Sequence, residues 1–338
     1  MSGLQTLPPE DAYQLLRDYG QHSSAFLSMN ANTGRLRPPG TNGFIAYRQG
    51  GRRHLFELCG PIGADDDRER VLLGFLEEAR RRRQRIAAVQ LSLADAALHA
   101  QHGFVVNQLG ASYSLDLVGY TLGGQRMVKV RNMVNRARRE GVTVSEATPN
   151  EQASAELAGH LDQIDTDWLH AKGRHVKELD FLIGERGGPG AQHRRLFTAC
   201  HQGRVIAYIS YSPAFGERTG WLYDLTRRSP QAPPGTVDLL FATALETFQH
   251  EGSRWLHLGF TPFVQLAPRG EAPGPTSGVL HRCIELLGTR GRALYPAAAQ
   301  ESFKLKWRPQ HIEPEYLAFQ NGVSPAAVWS LMRLTRTV

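Results

Sequence analysis

Cysteine is scarce in this sequence of 338 residues: Cys59, Cys200 and Cys283 stand far apart, with no CxxC pair among them. An odd and scattered set excludes a disulfide framework and a structural zinc site, and reads as small buried hydrophobes. Long apolar runs are also missing, none approaching the roughly 18 residues that a membrane span needs. No apolar signal segment follows Met1, because Glu10, Asp11 and Arg17 arrive at once, so the expected location is the cytoplasm. What is there is an ordinary globular composition, 41% hydrophobic and 21% charged, with a net charge of +7. The length fits two domains of usual size, or one domain with an internal duplication. The excess of cations favours polyanionic partners, nucleic acid or an anionic membrane surface, and does not choose between them.

Hydrophobic periodicity gives an alternating order. A helix is expected over Pro9 to Tyr19, strands at Gly43 to Tyr47 and His54 to Leu58, and a helix from Arg68 to Arg83. A strand at Ile86 to Leu91, a short helix from Ala94 to Gln101 and strands at Phe104 to Asn107 and Ser112 to Leu117 follow. Leu122 to Gly141 then breaks the pattern with a basic helical period, Met127, Val130, Met133, Val134 and Ala137 lying on one side. After it the alternation restarts: a strand near Val142, a long helix from Asn150 to Trp168, and strands at Arg195 to His201, Val205 to Tyr211 and Gly220 to Leu225. PPGTVDLLFATALETFQHEG reads as a helix with its start and stop signals, Trp255 to Leu258 as a short strand, Val264 to Ser277 as a loop and Gly278 to Leu287 as a helix. The expected class is α/β (α+β), divided into residues 1–120, a basic connecting helix over 121–141, and residues 142–338.

Several ordered motifs resemble the C-terminal catalytic domain of bacterial aminoacyl-phosphatidylglycerol synthases, from about Leu15 to Phe319. They are Tyr47 to Arg53, Gly60-Pro61, ASYSLDL with TLGGQRMVKVRNMVNRARREG, DTDWLHAKG with Glu178 and Phe181, YDLTRR, PPGTVDLLF, RWLHLGFTP, and SFKLKWRP with EPEYLAF. The resemblance implies tandem acetyltransferase-like (GNAT) domains joined by a basic helix. It also implies transfer of an amino acid from aminoacyl-tRNA, a co-substrate, to the glycerol hydroxyl of phosphatidylglycerol, with no cofactor. The best-known members carry an N-terminal membrane-spanning flippase region that this sequence lacks, so another lipid, a small molecule or a peptide stays open as acceptor. A soluble member would work in the cytoplasm or peripherally at the inner face of the membrane.

Aminoacyl transfer needs two substrates positioned and an oxyanion stabilised, with no covalent nucleophile. In YDLTRR, Asp224 can orient the acceptor hydroxyl or hold the amino group, and Arg227 can grip phosphate; a structural ion pair is the alternative. Read as a strand, SFKLKWRP puts Lys304 and Lys306 on one face toward a phosphate or oxyanion; solvated lysines are the alternative. The family places catalytic roles on Asp224, Arg227 and Lys306, and substrate contacts near Asp167, Trp168 and Glu178. Gly259 and Thr261 end a strand where backbone can approach a ligand, or simply turn. Arg126, Lys129, Arg131, Arg136, Arg138 and Arg139 are candidates for a tRNA acceptor stem or anionic headgroups, against a solvated helix face. Arg80 to Arg83 with Arg85 reads as a helix end favoured by the dipole. His170 with His175 lacks the further ligands of a metal site, so no metal is assigned.

Two other classes compete. An acyl-CoA-dependent N-acetyltransferase would need a Gly-rich pyrophosphate loop, and the nearest stretches, ERGGPGAQ and APPGTV, do not supply it. A non-catalytic RNA- or membrane-surface-binding protein would keep the basic surface alone.

Overall fold

The computed structural model describes residues 5–172, 182–290 and 296–335. Glu178, Phe181 and His175 lie outside the described residues. Helix α1 (Pro9–Tyr19) starts on a proline, carries Glu10 and Asp11 in its first turn and Arg17 in its last, and buries Ala12, Leu15 and Leu16. After strands β1 (Gln5–Thr6), β2 (Gly34–Arg37), β3 (Gly43–Gly50) and β4 (His54–Gly63) comes α2 (Asp65–Arg81), with three aspartates in its first turn and Arg80 and Arg81 in its last. Strand β5 (Arg85–Leu91), helix α3 (Leu93–Gln101), capped by the Ser92 hydroxyl, and the long β6 (Phe104–Asp116) complete the first half.

Helix α4 (Val128–Arg139) is the basic helix, and it buries Val130, Val134 and Ala137. The second half adds β7 (Thr143–Glu146), α5 (Pro149–Gln152), α6 (Ala155–Lys172), β8 (Arg195–His201), β9 (Arg204–Ala214), β10 (Gly220–Arg228), α7 (Thr236–His250) and β11 (Trp255–Pro262). It ends with α8 (Gly278–Arg290), α9 (Ala297–Leu305), β12 (His311–Gln320) and α10 (Pro325–Leu334).

All these strands join one sheet in the order β1-β2-β3-β4-β5-β12-β6-β11-β10-β9-β8-β7. Among the described residues only β4 with β5 and β10 with β11 run parallel, each pair bridged by a helix, α2 or α7. The last strands are exchanged: β6 lies against β11, and β12 against β5, while β6 and β12 pair with each other from His311 to Gln320. The α/β class holds, and the exchange makes the sheet continuous through the middle of the molecule. Helices cover both faces. One face carries α1 and, beside β8–β10, α6; the other carries α2 and, across the second half, α4, α7 and α9.

Each parallel pair opens partway along. Strands β4 and β5 are in register from His54 to Leu58, and then Cys59 (φ 61°), Gly60 (φ 77°) and Gln90 (φ 53°) take left-handed backbone. Strands β10 and β11 are in register only from Gly220 to Leu222, after which β10 bulges between Tyr223 and Leu225 and β11 between His257 and Gly259. Beyond each bulge the strands part and leave a split.

Two expectations need correction. SFKLKWRP is not a strand, because Ser302 to Leu305 complete α9 and Trp307 is buried just beyond it. The Ala-rich lead-in favours helix, and Phe303 and Trp307 are as well matched at i, i+4 as at strand spacing. The three cysteines are not all buried: Cys59 is, Cys200 is half-buried and Cys283 is exposed.

Candidate functional site

The bulge in β10 sets the site. An extra residue in one strand turns a side chain out of register, and here that residue is Asp224. Its side chain is only 2% exposed and its Oδ2 lies 3.4 Å from the Arg194 Nε–H. Gly184 presses so closely on the carboxylate that a Cβ there would stand 2.0 Å from Oδ1. Burial raises the Asp224 carboxyl above its ordinary pKa, and the Arg194 cation only partly opposes this. Arg194 is itself anchored across the molecule, its Nη2–H donating to Asn30 Oδ1 at 2.7 Å and its Nη1–H to the Gly187 carbonyl at 3.1 Å. Asn30 follows the 3-10 turn Ala25–Met29 of the first half, so both halves position the carboxylate.

Along the same face of β10, the Arg227 guanidinium lies 4.0 Å from the Trp168 ring centre and its Nε 3.9 Å from Asp165 Oδ1. The Tyr208 hydroxyl donates to Asp165 at 2.5 Å. Trp168 is therefore brought to the site, but Asp167 instead accepts from Gln163 within α6 at 2.8 Å. Helix phase explains the difference: Asp165 and Trp168 are three residues apart and share a face, which Asp167 leaves. Asp165 and Arg194 are the residues that motif reading missed. The phase of α6 carried the signal for Asp165; no local pattern marked Arg194.

Across the split, Gly259 sits at φ 74° in β11. Its carbonyl and that of Phe260 each accept from the Lys304 Nζ at 2.8 Å. Lys304 is 4% exposed, and burial pulls its ammonium down to about 7, against the raising influence of Glu315. It holds the bulged backbone of β11 and does not face solvent. Thr261 is fully buried beyond it.

Lys306 points elsewhere. Two residues further along a helix end, it leaves the Lys304 face, pairs with Asp238 Oδ1 at 2.5 Å and lies 4.1 Å from the Phe303 ring centre. It lines an open groove of about 810 Å³ on the α4 side, with Arg126, Lys129 and Arg308. Lys306 thus stands with Arg126 and Lys129, on the other face of the sheet from Asp224 and Arg227. Of the remaining basic candidates, Arg131 turns back to donate to the carbonyls of Leu122 and Gly124 at 2.5 and 2.6 Å. Arg136 lies 3.9 Å from Glu140, the Arg139 Nε–H donates to the Asn135 carbonyl, and Arg138 is exposed.

The N-terminus of α7, where a pyrophosphate would dock, is closed. Gly235 (φ 90°) abuts α4 so tightly that a Cβ would stand 2.1 Å from the Met133 carbonyl, and Asp238 fills the first turn with negative charge.

The split between β4 and β5 is filled differently. Cys59 and Gln90 line it with His22 and Glu315, all buried or nearly so. In the neutral ring His22 Nδ1 can accept from the Ser24 N–H at 3.0 Å, and Nε2 lies 3.4 Å from Glu315 Oε1. Burial opposes a charge on His22, but Cys59 and Glu315 outweigh it and hold the imidazole well above its ordinary value.

Comparison with known proteins places this geometry. The family described as phosphatidylglycerol lysyltransferase, C-terminal, matches residues 13–319. The phosphatidylglycerol lysyltransferase of Bacillus subtilis is 28% identical over 273 residues, covering 80% of this chain and 30% of that protein. A lysylphosphatidylglycerol biosynthesis bifunctional protein of Mycolicibacterium vanbaalenii is 30% identical over 183 residues, 54% of this chain and 16% of that one. The chain therefore spans less than a third of the length of these two relatives. Among solved structures, L-PGS from Bacillus licheniformis superimposes with a TM-score of 0.76 at 24% identity, over 100% of this chain and 99% of its own. The C-terminal domain of a putative lysylphosphatidylglycerol synthetase from Agrobacterium fabrum gives 0.76 at 23% identity, over 98% and 96%. These likenesses are of fold, and the family match spans β2 to Phe319 of β12, including both splits and the residues around Asp224: the chain belongs to the family of phosphatidylglycerol lysyltransferase C-terminal domains.

Proposed function

We propose that this chain transfers an aminoacyl group, with lysine the first to test, from charged tRNA to a glycerol hydroxyl of phosphatidylglycerol. The carrying observation is Asp224, a buried carboxylate of raised pKa at the bulge of β10, in a chain whose relatives are named for this reaction. A raised pKa suits a carboxylate that must take and return a proton near neutral pH. The acceptor hydroxyl gives its proton to Asp224 as its oxygen attacks the ester carbonyl. A new ester bond forms, the bond to the tRNA ribose breaks, and the proton passes to the departing ribose oxygen. Arg194 keeps Asp224 oriented, and Arg227, flanked by Trp168 and Asp165, supplies positive charge for the lipid phosphate. The groove with Arg126, Lys129, Lys306 and Arg308 suits the phosphates of an acceptor stem.

The test is incubation with labelled lysyl-tRNA and phosphatidylglycerol vesicles, followed by lipid extraction. Labelled lysyl lipid is expected, and none with Asp224→Asn. Tight tRNA binding with no labelled lipid from any charged tRNA would overturn the reading; label in an aqueous product would keep the transfer and reject the acceptor.

A further inference from the structure

A helix on a protein surface normally turns one apolar stripe to the core and a polar face to water. Helix α8 departs from this. Its inner side buries Leu280 and Ile284 in the cluster that also holds Phe260 and Phe263. The fit is tight, since a Cβ on Gly288 would stand 2.4 Å from the Phe263 carbonyl. Its start is pinned to β6, where Asn107 both donates to the Ser277 carbonyl and accepts from the Ser277 N–H, at 3.0 and 3.2 Å.

The outer side of this fixed helix carries a second apolar stripe. Val279, Cys283 and Leu286 recur at i, i+4 and i+7, which puts them on one face. Val279 is 77% exposed and Leu286 52%, and Cys283 is exposed as well. Among the described residues the other large exposed apolar side chains stand one to an element, so α8 alone gathers two on one face. Arg282 and Arg290 flank the stripe on the same outer surface, both exposed. Glu285, the one acidic residue of the helix, is set to the side and lies 3.3 Å from His281.

An apolar stripe edged by arginines matches the boundary between anionic headgroups and acyl chains, where apolar side chains enter and guanidinium groups stay on phosphate. The place in the fold agrees. Phe263 directly follows β11, the strand that pairs with β10 from Gly220 to Leu222 and parts from it just before Asp224. We propose that the outer face of α8 is a membrane-docking surface for an anionic bilayer, with Val279, Cys283 and Leu286 inserted and Arg282 and Arg290 on lipid phosphate. The purpose of docking, delivery of lipid to the site, rests on the transferase reading above; the docking itself does not.

Cosedimentation with vesicles tests it. Wild type is expected to bind vesicles of mixed phosphatidylglycerol and phosphatidylcholine at least tenfold more tightly than vesicles of phosphatidylcholine alone. Val279→Ser with Leu286→Ser, both at exposed positions that leave the core intact, is expected to lose at least tenfold in that binding, and Arg282→Glu to lose it in a salt-dependent way. Equal binding by wild type and the double serine variant, or no preference for the anionic vesicles, would overturn the proposal. So would a dimer in light scattering that the double variant converts to monomer, because the face would then be covered by a second copy. Transfer to short-chain phosphatidylglycerol dispersed as monomers separates the two readings. The double variant is expected to match wild type on dispersed lipid and to fall at least tenfold behind on vesicles. Activity of neither protein on either lipid, with vesicle binding still lost in the variant, would reject the transferase and keep the docking surface.

Discussion

The two splits of the sheet are built alike and furnished differently. Each follows a short parallel register, each opens at a bulge, and each is bordered by an exchanged last strand, β12 beside β5 or β6 beside β11. In the first, Cys59, Gln90, His22 and Glu315 close on one another, and the imidazole faces the carboxylate inside the protein. In the second, Asp224 is held from below by Arg194 and has Arg227 and Trp168 beside it on β10 and α6. Two like frames thus yield one split plugged by its own side chains and one beside the residues proposed to carry the transfer. The difference lies in what the bulge residue is, a thiol at 59 and a carboxylate at 224.

The largest way to break this comparison is Asp224→Asn, which is expected to lower transfer at least about 100-fold, the low end for a missing acid–base group. Its stability near neutral pH should change little, because two effects oppose: Arg194 is left buried without its counter-charge, although the amide oxygen can still accept from its Nε–H. Against this, the folded pKa lies above the unfolded one, so the ionised form is the one the fold disfavours, and the neutral amide removes that cost. Arg194→Ala should unfold more easily by about 3 kcal/mol, because the buried Asp224 carboxylate loses both the cation and its hydrogen bond with no compensating gain, with a smaller loss of transfer. Denaturant titration beside single-turnover rates checks both.

Lys304→Met sharpens the picture of the second split through pH. The amine is neutral in the folded chain above about 7, yet keeps its proton to its ordinary 10.5 when unfolded. Wild-type stability should therefore gain up to about 1.4 kcal/mol per pH unit from this group above pH 7, and the variant should lose that slope. In the first split the sign is opposite. His22 is raised, so its contribution is full below about 6.5 and lost as pH rises through the folded value. His22→Ala should cost about 1–3 kcal/mol at pH 6, less at pH 9, and leave transfer within twofold at equal folded concentration. Thermal melts across pH check these.

Much of the frame was legible in local pattern. Periodicity marked α1 and most of α2, whose first turn at Asp65 to Asp67 lay outside the expected span, and the apolar side of α4 was plain from Met127, Val130, Val134 and Ala137. The failures have physical causes. SFKLKWRP is too short for periodicity to separate strand from helix, and the fold chose helix and so sent Lys304 and Lys306 to different places. Arg194 meets Asn30 from 164 positions away, a pairing no window can contain. Asp224 and Arg227 stood out as a motif, but the bulge that takes Asp224 out of register is a property of the paired strands.

The central claim is that chemistry resides in the second split alone. Single-turnover transfer from labelled lysyl-tRNA to phosphatidylglycerol, run side by side for Asp224→Asn and Cys59→Ser at matched folded concentration, tests it most directly. A loss of at least about 100-fold for the first with a rate within twofold of wild type for the second is the predicted result; comparable losses in both, or near-wild-type transfer by Asp224→Asn, would contradict it.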